Sequence, residues 1–263
     1  LGTYNFFGDV GKFAFGGAVS LCLLAGISWQ APVTAFGAIG IATAVVIFLF
    51  LSNTRAPLVA GEPEPARAKS GWGIRNPQGF TALCLIEILD SSTRTGFLTF
   101  IAFLLIDKGI PAGWAALAVP LILVGGMAGK LACGFLAERV GIVKTIVITE
   151  VATGLGILAT LALPGVGVML ILPLIGVALQ GTSSVLYATI GDLVDKDRLP
   201  RAFGLFYTLG STCGIVAPLG YGLLGDVAGV PMAIATVGVA VLITVPLAAM
   251  LKPALGAAST ASI

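Results

Sequence analysis

Long apolar runs, each of about twenty residues or more, follow one another along this chain and are parted by short polar turns. They limit its folding more than any other feature. In a bilayer, backbone amides must be satisfied within the segment that carries them, so such runs are helices rather than open strands. Eight spans are expected, near 5–28, 31–51, 80–106, 114–136, 145–163, 166–190, 202–224 and 231–251. Mean hydropathy is +1.07, and charged residues make up 10% of the chain, against about 25% in soluble domains. The expected fold class is all-α, a polytopic membrane helix bundle.

The separators have turn chemistry: Trp29-Gln30-Ala31-Pro32, Asp107-Lys108-Gly109-Ile110-Pro111, Pro164-Gly165 and Gly225-Asp226. One separator is longer. Residues 52–79 are proline-bearing and of mixed charge, as expected of a linker between two bundles. The basic residues give the orientation. Arg55, Arg67, Lys69, Arg75, Lys130, Arg139, Lys144, Lys196, Arg198, Arg201 and Lys252 fall on one side if the spans alternate, with Lys108 opposite. That side is expected to be cytoplasmic. Lys12 and Arg94 lie inside spans.

Cys22, Cys84, Cys133 and Cys213 are scattered singly, a spacing that suits neither a zinc site nor a disulfide framework. There are 0 histidines, so any proton carried within this chain must ride on a carboxylate. No metal and no cofactor is expected. The chain begins at Leu1 without a signal-peptide pattern, and it reads as a piece whose upstream part is missing.

Between the fourth and fifth spans stands Gly134-Phe135-Leu136-Ala137-Glu138-Arg139-Val140-Gly141-Ile142-Val143-Lys144. It resembles the loop signature G-x-L-x-[DE]-R-x-G-x-x-[KR] of major facilitator superfamily transporters. Gly134, Leu136, Glu138, Arg139, Gly141 and Lys144 fit, while Val143 stands where the family often has a second basic residue. The resemblance implies a twelve-helix fold of two six-helix halves, with this chain supplying helices five to twelve. Residues 1–51 would then be the last two helices of the N-terminal half and 52–79 the cytoplasmic central loop. Residues 80–252 would be the C-terminal half and 253–263 a cytoplasmic tail. A weak internal repeat agrees: a shift of 202 positions sets Gly2 on Gly204, Gly8 on Gly210 and Leu21 on Leu223, with Tyr4 on Phe206. The signature loop would serve conformational change rather than solute contact.

The third span carries Glu87, Asp90 and Arg94 at i, i+3 and i+7, within a sector of roughly 60° and beside Ser91. A lone charge at mid-bilayer costs about 2.5–3.5 kcal/mol on insertion scales, so these residues must face protein or a watered cavity. One reading is a polar patch that binds substrate or protons. The other is an Asp90–Arg94 pair at i, i+4 that only locks helices. The resemblance favours the first, since the family's seventh helix borders the central cavity.

In the sixth span Gln180, Ser183, Ser184 and Tyr187 share one face. The resemblance makes this the tenth helix, also at the cavity; helix–helix glue is the competing reading. Asp9 and Lys12 are spaced to pair. Their run, Gly8 to Gly17, resembles the glycine-rich fifth-helix motif of drug–proton antiporters without its Gly-Pro step. Glu150, about one helical turn into the fifth span, is expected to brace Lys144 or the signature turn. Gly125–Gly129 and Gly210–Gly214 read as close-packing faces. Pro173 and Pro218 read as kinks.

No G-x-x-x-x-G-K-[ST] motif implies ATP hydrolysis. The expected function is secondary active transport of a small organic solute by alternating access, coupled to protons or another ion, with efflux one direction it allows. Expected partners are the solute, the coupling ion and the lipid bilayer, with no nucleic acid and a monomeric complete protein. The resemblance places it in the bacterial cytoplasmic (inner) membrane. Two alternatives stay open: a polytopic membrane enzyme acting on lipid through Glu87, Asp90 and Arg94, and a fragment inert without its missing helices.

Overall fold

Proline and glycine set most of the helix boundaries. The computed structural model describes residues 2–51 and 71–260, with side chains for 8–50 and 71–253. Ten α-helices run through them: α1 (Gly2–Leu24), α2 (Gln30–Leu51), α3 (Pro77–Asp107), α4 (Ala112–Ala115), α5 (Ala118–Val140), α6 (Ile142–Ala162), α7 (Gly165–Leu193), α8 (Leu199–Ala228), α9 (Val230–Leu242) and α10 (Thr244–Thr260). Among the described residues seven helical segments are long and apolar enough to cross a membrane, taking α4 with α5 and α9 with α10. The 23-residue α1 precedes them. The fold is an all-α membrane bundle.

Local chemistry explains the ends. Asn76 caps α3 by accepting from the Gly79 amide at 2.9 Å, with Pro77 in the first turn, where its missing N–H costs nothing. Gly141 (φ 90°) and Gly229 (φ 87°) turn the chain directly from α5 into α6 and from α8 into α9, in a region L side chains avoid. Two proline breaks were not anticipated. Pro120 cannot donate to the Ala116 carbonyl, and α4 stops there; Ser20 of α1 satisfies that carbonyl instead, at 2.7 Å. Pro246 likewise leaves the Leu242 carbonyl without its i+4 donor, and the expected eighth span divides into α9 and α10. α10 continues through Pro253 to Thr260, where a tail was expected. Pro173 and Pro218 lie within the continuous helices α7 and α8.

Residues 52–70 of the expected linker, with Arg55, Arg67 and Lys69, lie outside the described residues, as does the side chain of Tyr4 in the proposed repeat. The linker's end is fixed. Ile74 bridges Val194, Arg75 N donates to the Leu193 carbonyl at 2.9 Å, and Arg75 Nε reaches Asp195 at 3.1 Å. Lys108, the basic residue expected opposite the others, caps α6 by donating to the carbonyls of Leu161 (2.9 Å) and Leu163 (2.7 Å).

α5 and α7 form the closest helix pair. A Cβ on Gly125, Gly129 or Gly176 would overlap the backbone carbonyl of Pro173, Val177 or Ile122. The Gly125–Gly129 face is thus used for close packing, as its spacing suggested. Two apolar clusters fill the bundle. One gathers Leu83, Ile86, Leu186 and Phe206, the other Phe97, Ile101, Ile122 and Leu172. Along α3 the polar stretch Glu87–Arg94 lies between them, and there the site is built.

Candidate functional site

The inward face of α3 carries the charges. Glu87 and Asp90 are each 1% exposed, and Arg94 Nη1 pairs with Asp90 Oδ2 at 3.3 Å across one helical turn. Ser91 donates to the Gly210 carbonyl of α8 at 2.8 Å. Neither Glu87 carboxylate oxygen has a hydrogen-bond partner among the described residues. Gly210 gives Glu87 its room, because a Cβ there would stand 2.5 Å from Oε1. The second glycine of that pair, Gly214, faces Thr95 of α3, so both close-packing glycines of α8 are used.

Glu150 corrects an expectation. It does not brace Lys144. It is 1% exposed, its oxygens also lack hydrogen-bond partners among the described residues, and it lies within electrostatic reach of Asp90, Arg94 and Glu87. The reason is geometric. α6 starts at Ile142, three residues before the expected span, so Glu150 sits more than two turns down the helix. Thr149, its neighbour, accepts from Thr182 of α7 at 2.9 Å and ties the two helices at this depth.

In front of this cluster lies a cavity of about 350 Å³. α7 contributes Gln180, Ser183, Ser184 and Tyr187, so the face anticipated from spacing does gather at one place. The Ser183 and Ser184 hydroxyls donate back to the carbonyls of Gln180 (2.9 Å) and Gly181 (2.7 Å). Tyr187 stacks on Tyr207 of α8, centroids 4.8 Å apart, and meets Phe206 edge-on at 5.5 Å. Arg94 and Thr95 complete the α3 side. A smaller pocket of about 220 Å³ shares Arg94, Thr95, Tyr187 and Tyr207 with it and brings in Glu87. The polar patch of α3 and the polar face of α7 therefore border one space.

Lys12 and Lys130 also line the cavity. Lys130 is expected among the loop charges that set orientation, yet it lies in mid-α5, where its ammonium pairs with Asp9 of α1. Asp9, 6% exposed, pairs as well with Lys12 at 3.3 Å, as their spacing suggested. Lys130 therefore drops out of the orientation count. Tyr207 was missed because it stands one residue past the buried Phe206 in an apolar run. Glu150 carried a usable signal, an acid inside an apolar helix, which is expensive unless it has a use.

The signature residues lie apart from the cavity, at the α5–α6 turn. Gly141 supplies the positive φ there; a Cβ on Gly134 would meet nothing within 4 Å. Glu138, Arg139 and Lys144 are exposed.

The model of the family described as Major Facilitator Superfamily matches residues 83–261, which hold every cavity residue except those of α1. No curated protein matches the chain. The chain belongs to the Major Facilitator Superfamily, and it is a membrane transporter rather than an enzyme.

Proposed function

We propose that the protein is a proton-coupled secondary transporter of a small organic solute, with solute in the 350 Å³ cavity and the proton on the carboxyls behind it. The carrying observation is that Glu87, Asp90 and Glu150, from two helices, are buried around one Arg94, while the oxygens of Glu87 and Glu150 hold no hydrogen bond among the described residues. An acid with no donor to give up can take and release a proton without first breaking a hydrogen bond. Asp90 has Arg94 as its partner in this structure and is the positioning member. Glu87, which also borders the smaller pocket, is the carrier that meets the solute side.

The wall toward the cavity is basic. Lys12, Arg94 and Lys130 line it with Gln180 and Tyr187, while their partners Asp9 and Asp90 stand behind them and Glu87 borders the adjoining pocket. That set suits an anionic group on the solute, with Arg94 able to form a forked pair with a carboxylate or phosphate. Arg94 then exchanges Asp90 for the solute as the proton arrives on a neighbouring carboxyl, which gives coupling a physical route. Two bundles rocking about the cavity would expose it to each side in turn. The signature turn, remote from the cavity, acts in that movement.

Proteoliposomes loaded with a pH-sensitive dye test this reading. A panel of organic anions and cations should contain anions that drive internal pH change with the wild-type protein. Glu87→Gln should abolish the pH change and keep counterflow of the same solute. Counterflow lost together with the pH change, in a normally assembled protein, would place Glu87 in solute binding and not in coupling.

A further inference from the structure

A second opening lies on the outside of the bundle, away from the transport cavity. It is a groove of about 650 Å³ between the start of α6 and the first half of α10. Its walls are apolar, made by Val147 and Ile148 on one side and Val245 and Ala249 on the other, with the signature glycine Gly141 at its head. Only two charged residues line it, Lys144 and Lys252, both exposed, and among the described residues neither forms an ion pair or a hydrogen bond.

The order of these residues along the helices is informative. On α6 the chain runs from Lys144 inward to Ile148, and on α10 from Lys252 back to Val245. Both lysines therefore stand at the end of the groove where the α5–α6 turn lies. The apolar walls descend from them for about 6–10 Å at 1.5 Å per residue. Paired cations above an apolar slot match a molecule with an anionic head and hydrocarbon tails. A soluble anion would leave the slot unfilled, and a neutral lipid would leave the lysines unmatched.

We infer that this groove binds an anionic phospholipid, its phosphate between Lys144 and Lys252 and an acyl chain along Val147, Ile148, Val245 and Ala249. The site joins Lys144, three residues past Gly141, to α10, so the bound lipid bridges the start of α6 and α10. The inference rests on the groove alone and is independent of the transport reading.

Native mass spectrometry of the purified protein tests it, with phosphatidylglycerol and phosphatidylcholine of the same acyl chains as probes. Retention of phosphatidylglycerol should exceed that of phosphatidylcholine by about tenfold or more, the effect of two lysines near a lipid surface. Lys144→Gln with Lys252→Gln should erase the preference, and Lys196→Gln, on a different loop, should keep it. Ala249→Trp fills the slot with both lysines in place and should lower retention of the lipid, which separates a groove from simple charge attraction. Equal retention of the two lipids by the wild-type protein, or a preference that survives the double lysine variant, overturns the proposal. So does a preference that appears only after removal of residues 254–263, since the groove would then hold the chain's own end.

Discussion

The Ser91 hydroxyl donates to the Gly210 carbonyl at 2.8 Å, and this bond brings α3 and α8 together where the Glu87 carboxylate lies against the Gly210 Cα. The two helices meet there only because one position has no side chain. Gly210→Ala would put a methyl 2.5 Å from Glu87 Oε1, so the carboxylate must move. Because the atom that must move ends a flexible side chain, the cost lies at the low end of the range for overpacking, about 1–3 kcal/mol. We expect a lower unfolding temperature in detergent and a loss of proton-driven transport at least as large as that of Glu87→Gln. Unchanged transport in Gly210→Ala would detach Glu87's present position from coupling.

The Asp90–Arg94 pair predicts an asymmetry between single and double replacements. Asp90→Asn removes the ion-pair partner of a half-buried guanidinium, and with Glu87 and Glu150 still near Arg94 the loss should fall below the about 3–5 kcal/mol of a fully buried unpaired charge. It should appear as reduced folded yield by size-exclusion chromatography. Asp90→Asn with Arg94→Gln removes both charges and should recover most of that yield. Transport should stay absent in the double variant, because Arg94 faces the cavity. A double variant that transports normally would reduce the pair to a helix lock.

Packing at α5 and α7 should discriminate sharply between two glycines of one helix. Gly129→Val would drive side-chain atoms into the Val177 backbone, whereas Gly134→Ala meets nothing within 4 Å. The first should cost at least about 1–3 kcal/mol, read as thermal unfolding of the detergent-solubilised protein. The second should stay within about 0.5 kcal/mol of wild type.

The Gly141 turn is expected to govern movement and not binding. An alanine at φ 90° is strained by about 1–3 kcal/mol, so Gly141→Ala should slow turnover while solute binding, measured by calorimetry, stays within a few-fold of wild type. Loss of binding in a monodisperse sample would contradict the separation of turn and cavity.

Orientation can be checked with single cysteines in a background lacking the native four. Lys196→Cys should resist an impermeant maleimide in intact cells and react after permeabilisation, while Ala112→Cys at the opposite end should react at once. The reverse pattern inverts the topology.

The spans were legible because lipid imposes a one-dimensional rule, about twenty apolar residues per crossing. The Asp90–Arg94 pair was legible because both partners share a helix and the i, i+4 spacing fixes their distance. Glycine pairs such as Gly125–Gly129 announce close approach by what they lack. Glu150 was misplaced because a three-residue error in the helix start moves a side chain by most of a turn, and its meeting with Asp90 depends on how α6 lies against α3. Lys130 was misread for a related reason: counted from the loop it is a loop charge, while its partner Asp9 is 121 residues away in sequence. The breaks at Ala116 and Leu242 had a local cause in Pro120 and Pro246 and were within reach of the sequence.

Where Gly125, Gly129 and Gly176 set backbone on backbone, α5 and α7 have no layer of side chains between them to shear or repack. Such a contact has no soft direction. We expect the pair to move as one body, with the Gln180–Tyr187 wall of the cavity keeping its distance from Lys130. A pair of spin labels across this seam would report a fixed distance in every state of the protein. Whatever adjusts the cavity to its cargo must do so from the α3 and α8 side.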